Sequence, residues 1–399
     1  MSNPVARQQA QGAHTPQLWS VWFIAPISIA AVGLLAYGLF QGMDALLTTE
    51  NRTGEPVDVN DVIKATATGI TLIGAVLTGV YAYRKQLLAE GDSHRADASQ
   101  FTDRYSTAAA QLGHEQAAVR LAGVYAMARL ADDWPEQRQV CIDVLCAYLR
   151  MPYEPAPEAT GFKAGEREVR HTIIRVIRDH IQDPMAPNTW CGLNLDFTGA
   201  TFDGGDFQGA KFTGGVVSFA KAQFIEGTVS FADTQFRGGD VTFSNAQFRG
   251  GYVIFAKAQF CGGVVDFINA QFRGGSATFI HAQFRGGYVI FNNARFRGGI
   301  VAFGAAQLAG GVVSFGEVQF AGVEVTFSCA QFDGCKVYFD DTQFTDSTID
   351  FSDAQFAGGE VYFNHAQFAG GMVTFDEVRV GSAANIDWGP LPAISPNMP

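Results

Sequence analysis

Phenylalanine recurs at fixed intervals from residue 197 to residue 375, and no other feature of the chain narrows its fold so far. The first four, Phe197, Phe202, Phe207 and Phe212, stand five residues apart. From there the spacing alternates between seven and five, through Phe219, Phe224, Phe231 and Phe236 to Phe363, Phe368 and Phe375. All 30 phenylalanines beyond residue 190 sit on this lattice, and Leu308 takes the one position that breaks it. The underlying twelve-residue unit holds two short pairs, such as Ala258 with Phe260 and Val265 with Phe267, joined through Cys261, Gly262, Gly263 and Val264. Residues two apart in a strand share a face, so each pair points to one side and Gln259 to the other. Glycine reaches the left-handed backbone angles that tight turns use. Ten of the fourteen turns from Gly214 onward keep both glycines, the exceptions being Glu226-Gly227, Gly322-Val323, Gly334-Cys335 and Asp346-Ser347.

A unit this short cannot bury its own rings, so the units must coil and stack, each coil pairing its backbone with the next. A coil of one unit would be flat and two-sided. Each phenylalanine brings on the order of 150 to 250 Å² to bury, and layers lie only about 4.8 Å apart, so that coil is too thin. Two units per coil place four strands around a quadrilateral with room for the rings. The spacing therefore predicts a mainly β solenoid of about seven such coils after a shorter first one, a rod of roughly 35 to 40 Å. The RGG triplets of AQFRGGYVIFAKAQF belong to this lattice; a rigid turn lacks the disorder and stacking freedom of RNA-binding RGG segments.

The first part of the chain has a different character. Residues 18–40, LWSVWFIAPISIAAVGLLAYGLF, carry no charge over a length sufficient for a hydrocarbon core of roughly 30 Å. A second uncharged run, 65–83, is framed by Lys64 and by Arg84 with Lys85. Trp19, Trp22, Tyr81 and Tyr83 stand near the ends, where amphipathic rings favour the membrane interface. The reading is a tail (1–17) followed by two transmembrane helices with an acidic loop (18–84). Arg7, Arg84 and Lys85 flank the pair against Arg52 and Lys64 in the loop, which directs both termini and the solenoid to the cytoplasm.

Residues 85–189 read as an α-helical connector, with helices over 101–112, closed by Gly113, then 115–131 and about 135–150. After the Pro-rich MPYEPAPEATG comes a basic amphipathic helix, 166–181. Its Arg167, Arg170, Arg175 and Arg178 are read as a solvated face paired with Glu166, Glu168 and Asp179, in preference to a stripe for lipid or nucleic acid. His171 and His180 are read as surface or packing residues.

The stretch LNLDFTGATFDGGDFQGAKF resembles the start of a pentapeptide-repeat protein, in which a small residue stands two before a central Leu or Phe. Ala200 with Phe202, Ala210 with Phe212, Ala246 with Phe248 and Ala270 with Phe272 match that pattern. The resemblance implies a right-handed quadrilateral β-helix over 190–380; the residues beyond, 381–399, read as a cap on the last coil through Trp388 or as a disordered tail. The seven-residue spacings and double glycines depart from the family pattern. The segment RYSTAAAQLGHEQAAVRLAGVYAMARLADD is similar to the helical region that follows two membrane spans in bacterial membrane-bound members, which implies a multi-pass protein of the bacterial plasma membrane.

A net charge of -12 makes the chain a poor partner for nucleic acid. Charge is unevenly placed: residues 190–300 hold nine Lys and Arg against seven Asp and Glu, whereas 301–380 hold two against eleven. Arg237, Arg249, Arg273, Arg285 and Arg297 all follow a phenylalanine, and in a four-strand coil Arg249, Arg273 and Arg297 would stack as a ladder open to an acidic partner. The plainer reading is that exposed turn positions tolerate charge. Asp340, Asp341, Asp346, Asp350 and Asp353 mark the acidic half. Some members of the family imitate DNA with an acidic β-helix and bind DNA gyrase, which makes a DNA-mimic regulator of a topoisomerase the alternative; solubility is the plainer use of such charge. The six cysteines contain no CxxC pair and do not cluster with the seven histidines. No GxSxG, HExxH or phosphate loop is present. The function expected is a non-enzymatic, membrane-anchored scaffold or protein-binding module. Its candidate surface comprises the three ladder arginines and the five aspartates, and its partners are the lipid bilayer and a protein, with no cofactor and no direct nucleic-acid binding. An enzyme of unknown chemistry is the weaker alternative.

Overall fold

The structure, a computed structural model, describes residues 59–390 together with 30, 33, 34, 37, 38, 41 and 42. It divides into two compact units, Met1–Thr102 and Asp103–Pro399. Helix α1, Val59–Leu112, starts in the first unit and ends in the second. The first expected span, 18–40, lies outside the described residues except for Ala30, Gly33, Leu34, Tyr37 and Gly38, which are helical. The second, 65–83, falls within α1. Among the described residues no helix is long and apolar enough to cross a membrane. In α1 the uncharged run is interrupted by Thr66, Thr68, Gly69, Thr71, Gly74, Thr78 and Gly79, which dilute its apolar side chains. Thr68, Thr71 and Thr78 turn their hydroxyls back onto the carbonyls of Lys64, Ala67 and Gly74 at 2.8 Å each. The helix expected over 101–112 is the end of α1, and it stops where Gly113 donates its N–H to Ala109 O.

In the second unit, α2 (Ala117–Asp133), α3 (Arg138–Arg150) and α4 (Glu166–His180) bury Val124, Met127, Ile142, Leu145, Ile173 and Ile177 in a small apolar core. Pro135 opens a 3₁₀ turn, Pro135–Gln137, ahead of α3, because its ring presets φ and its missing N–H would have had no partner there. These helices are a cap as much as a connector: α3 rests on the strand Leu195–Asp196 and α4 on Gly205–Asp206, both in the first coil of the solenoid. At the junction His180 stacks on the fully buried Trp190 with ring centroids 4.1 Å apart, and Asp132 accepts from both rings.

The solenoid runs from Leu195 to Asp387, and its neighbouring strands in register are parallel. One coil supplies four short strands, for example Gln247–Arg249 on face I, Tyr252–Ile254 on face II, Gln259–Phe260 on face III and Val264–Asp266 on face IV. Phe248 pairs with Phe272, Val253 with Ala277, Phe260 with Phe284 and Val265 with Val289, so the coil is 24 residues long on every face. The first step is shorter on two faces, where Leu195 pairs with Val217 and Thr201 with Gln223. Faces I and II are eight-stranded sheets. Faces III and IV merge into one sheet because the strand Gln355–Tyr362 runs around their shared corner.

The inward residues explain the lattice. Rings one coil apart lie flat on one another, at 4.3 Å for Phe248 and Phe272 and 4.7 Å for Phe243 and Phe267, while Phe243 meets Phe255 edge-on at 5.9 Å and 86°. Offset stacks and T-shaped contacts are the arrangements that the ring quadrupole favours. The residue two before a phenylalanine is fully buried under the corner, valine at Val318 and alanine in most units, such as Ala246 or Ala258. Where threonine replaces it, its hydroxyl finds a carbonyl: Thr234 Oγ1 donates to Phe207 O at 3.1 Å and Thr342 Oγ1 to Phe315 O at 2.7 Å.

Two kinds of corner turn the chain. At the double glycines the second residue is needed for close approach: a Cβ on Gly275 would lie 2.1 Å from Gly251 O in the preceding coil, whereas one on Gly274 would meet nothing within 4 Å. At Gly322-Val323, Gly334-Cys335 and Asp346-Ser347 the second residue instead turns inward and is buried. The other corner recurs every twelve residues from Lys221 to Glu377, each time with a non-glycine residue at φ between 52° and 60°. It is a type II turn, closed for instance by Ala258 N–H to Phe255 O, and Asn and Asp recur there because they tolerate the left-handed angle best.

The lattice ends at Phe375, yet β structure continues past the expected boundary at residue 380, because the strand Arg379–Asp387 pairs through its main chain with Gln355–Tyr362. Trp388 then closes the core, 5.5 Å from Phe375 and 6.2 Å from both Phe356 and Phe363.

Candidate functional site

Outward positions alternate with the buried ones, so the register of the coils decides which surface residues meet. On face I, Arg249, Arg273 and Arg297 pair strand to strand and form the expected ladder. Arg295 joins them from the neighbouring column, where the other coils from the second onward carry glutamine. Its only sequence signal is ARF in place of AQF. Arg249 and Arg273 each donate to the glutamine two residues before, Arg273 to Gln271 Oε1 at 2.7 Å, which lays the guanidinium groups along the face. Arg237 and Arg285 share the same place in the repeat but lie on face III, with Cys261 between them, and reach Gln259 and Gln307 of the following coil. The face I edge stacks Asn245, Asn269 and Asn293, then Glu317, Asp341 and His365, all in the left-handed corner.

The five aspartates belong to one coil and run around it. Asp340 and Asp341 occupy the corner into face I, Asp346 the corner leaving it, Asp350 lies on face II and Asp353 at the corner beyond. Asp340 accepts the N–H of Asn364, and Asp350 accepts from the backbone and hydroxyl of Ser352. The arginines are thus aligned along the rod and the aspartates are not.

A third feature lies where the helices meet the first coil. Arg167, His171, Arg175 and Arg178 of α4 face Asp203, Asp206, Thr228 and Ser230 across a groove of about 460 Å³. This corrects the reading of these arginines as one solvated face. Arg170 is buried and donates to the carbonyl oxygens of Tyr148, Leu149 and Thr201, with its guanidinium 4.5 Å over the Tyr153 ring. Arg167 pairs with Asp203 at 3.0 Å, and Arg178 pairs with Asp206 as well as Asp179. Partners 28 to 36 residues away in sequence join the helix neighbour Asp179 because docking on the solenoid brings them close. Asp203 also accepts from Tyr153 at 2.6 Å and lies 3.0 Å from His171 Nε2. Burial alone would raise its carboxyl, but the hydrogen bonds from His171 and Tyr153 and the charges of His171 and Arg167 outweigh it and hold the group below its ordinary range. Burial, then the adjoining carboxylate, raises the Tyr153 phenol, and burial, then Glu166, raises that of Tyr148. Glu166 is 3.2 Å from Arg120 Nε, an ion pair without the angle of a hydrogen bond. None of Arg120, Tyr153 or Asp203 stands out in the sequence, since their partners come from distant segments.

All six cysteines are free, and burial pushes the Cys141 and Cys335 thiols up to about 11 and that of Cys146 up to about 12. Among the described residues, no three His, Cys, Asp or Glu side chains group as metal ligands.

The four-strand coil, the small residue two before each ring and the register together define a four-sided parallel β-helix. Residues 197–247 match the family model described as pentapeptide repeats (9 copies). No curated protein and no solved structure matches the chain.

Proposed function

We propose that the protein is a non-enzymatic, membrane-anchored scaffold whose solenoid, in the cytoplasm, offers its flat faces to a protein partner. One observation carries the reading: each repeat sends its phenylalanine and small residue into a sealed core and leaves outside extended faces in 24-residue register, of which face I is polar and basic over three successive coils. Flat, extended solenoid faces suit macromolecular surfaces, whereas small ligands favour concave pockets. Anchoring is supported by the uncharged run 18–40 and by Val76, Leu77, Val80, Tyr81, Leu87 and Leu88, large apolar side chains of α1 that stand exposed and that lipid would cover.

The alternative, a DNA mimic acting on a topoisomerase, draws on the acidic distal half. DNA presents its phosphates in rows along its length, while the five aspartates encircle a single coil, so the charge placement favours the scaffold. The test is crosslinking and affinity capture of the full chain from its native membrane, beside a variant with Asp340, Asp341, Asp346, Asp350 and Asp353 changed to asparagine. Membrane or envelope proteins captured with both forms support the scaffold; a topoisomerase captured only by the native chain supports mimicry. A chain released from membranes by high salt and alkaline washing would remove the anchor from the reading.

A further inference from the structure

Face I is electrically self-complementary. Its middle coils carry Arg249, Arg273, Arg295 and Arg297, all exposed, with no carboxylate on those three coils of the face. Its next two coils carry Glu317, Asp340, Asp341 and Asp346 on their edges, with no cation but His365 beyond. Lys221 and Glu226 cancel on the coil before the arginines. Four positive charges are thus followed along one face by four negative ones, and the change of sign falls between the strands Arg295–Arg297 and Gln319–Ala321.

We propose that face I docks a second copy of this chain, the two solenoids lying antiparallel about a two-fold axis that crosses the face at that change of sign. Rotation about such an axis reverses the rod and keeps each edge on its own side. Arg273 then meets Asp346 of the second copy, Arg295 meets its Glu317, and the same contacts repeat in the opposite sense, as an isologous interface requires. A parallel pairing would oppose like charges. The inference rests on the reading of the solenoid as a docking surface and names the partner. Six strands of each copy, Gln247–Arg249 through Gln367–Ala369, overlap about that axis; at about 4.8 Å apart and three residues wide they bury roughly 600 Å² over both copies, a weak, transient contact whose register is set by charge. The guanidinium groups laid along the face by Gln247 and Gln271 are already close to that plane, so little ordering is needed on contact.

The experiment is sedimentation of the full-length chain in mild detergent at about 0.1 M and about 1 M NaCl, between which the screening length falls from roughly 10 to 3 Å. Two variants accompany it. One carries Arg249→Glu, Arg273→Glu, Arg297→Glu and Arg295→Gln; the other carries Glu317→Lys, Asp341→Lys, Asp340→Asn and Asp346→Asn. Lysine already occupies the left-handed corner at Lys221 and Lys257, so the corner accepts the new lysines. A native dimer at low salt, weakened at least about tenfold at high salt, is expected, with each variant alone monomeric and their equimolar mixture dimeric. Recovery in the mixture separates charge matching from misfolding, which mixing would not repair. A native chain that is monomeric at low salt, a dimer that persists in both variants, or a mixture that stays monomeric overturns the proposal. A monomer that another protein still occupies through face I also overturns it, while leaving the scaffold reading in place.

Discussion

The two ends of the solenoid solve one problem by opposite chemistry. A stack of coils leaves its aromatic core open at both ends, and each opening must be covered. The N-terminal end is covered by helices fastened through charge: Arg170 satisfies carbonyls from α3 and the first coil, and Asp203 gathers Arg167, His171 and Tyr153. The C-terminal end is covered by a strand and one indole, Trp388, laid against Phe356, Phe363 and Phe375. Buried charges demand complete pairing, so the first closure is sensitive to single changes and to acid. An aromatic lid depends on area and should fail gradually.

The sharpest break in the comparison is Arg170→Met. It strands buried carbonyls and is expected to destabilise the helical cap by about 4 kcal/mol, seen as lost hydrogen-exchange protection in α3, α4 and the first coil while the last coil keeps its own. Asp203→Asn should cost about 3 kcal/mol and also remove a pH dependence. The folded carboxyl lies below its unfolded value of about 3.9, so its contribution is full above about pH 4 and disappears as pH falls through the folded value. In the native chain, acid should therefore loosen the N-terminal end before the C-terminal one, and in Asp203→Asn that order should vanish when exchange is followed from neutral pH downward. Trp388→Ala is expected to cost about 2 kcal/mol, less than a fully enclosed aromatic because Trp388 is only half-buried. Its effect should stay within the last coil, whatever the pH. Arg249→Gln, on an exposed face between the two ends, should change stability by less than about 0.5 kcal/mol; a larger loss by thermal unfolding would mean that the ladder supports the fold itself.

Much of the solenoid is legible in the residues alone. The spacing of Phe243, Phe248, Phe255, Phe260 and Phe267 is a local record of which residues point inward, and ring size decides between a coil of one unit and a coil of two. The stacking of Arg249 on Arg273 and Arg297 follows directly from the coil length. Arg295 escapes such a reading because a single change from glutamine carries no periodic signal. The helices lie within three residues of their expected bounds, apart from 101–112, which continues backward into α1. The surroundings of α4 are not legible. Arg170 stands on the same helix as Arg167 and Arg178 and looks alike by composition, but docking on the first coil buries one and leaves the other two at the rim of a groove.

The sequence by itself determined the repeat, the coil length, the inward rings and the columns of surface charge, because each depends on spacing along the chain and on the size of one side chain. Only the tertiary structure decided that Asp203 would meet Tyr153 from 50 residues away, that a Cβ at Gly275 would strike the coil beneath it, and that a strand without phenylalanine would still join the sheet. Those outcomes depend on which distant backbone arrives at a given place, and main-chain hydrogen bonding and close approach leave no periodic mark in the residues that undergo them.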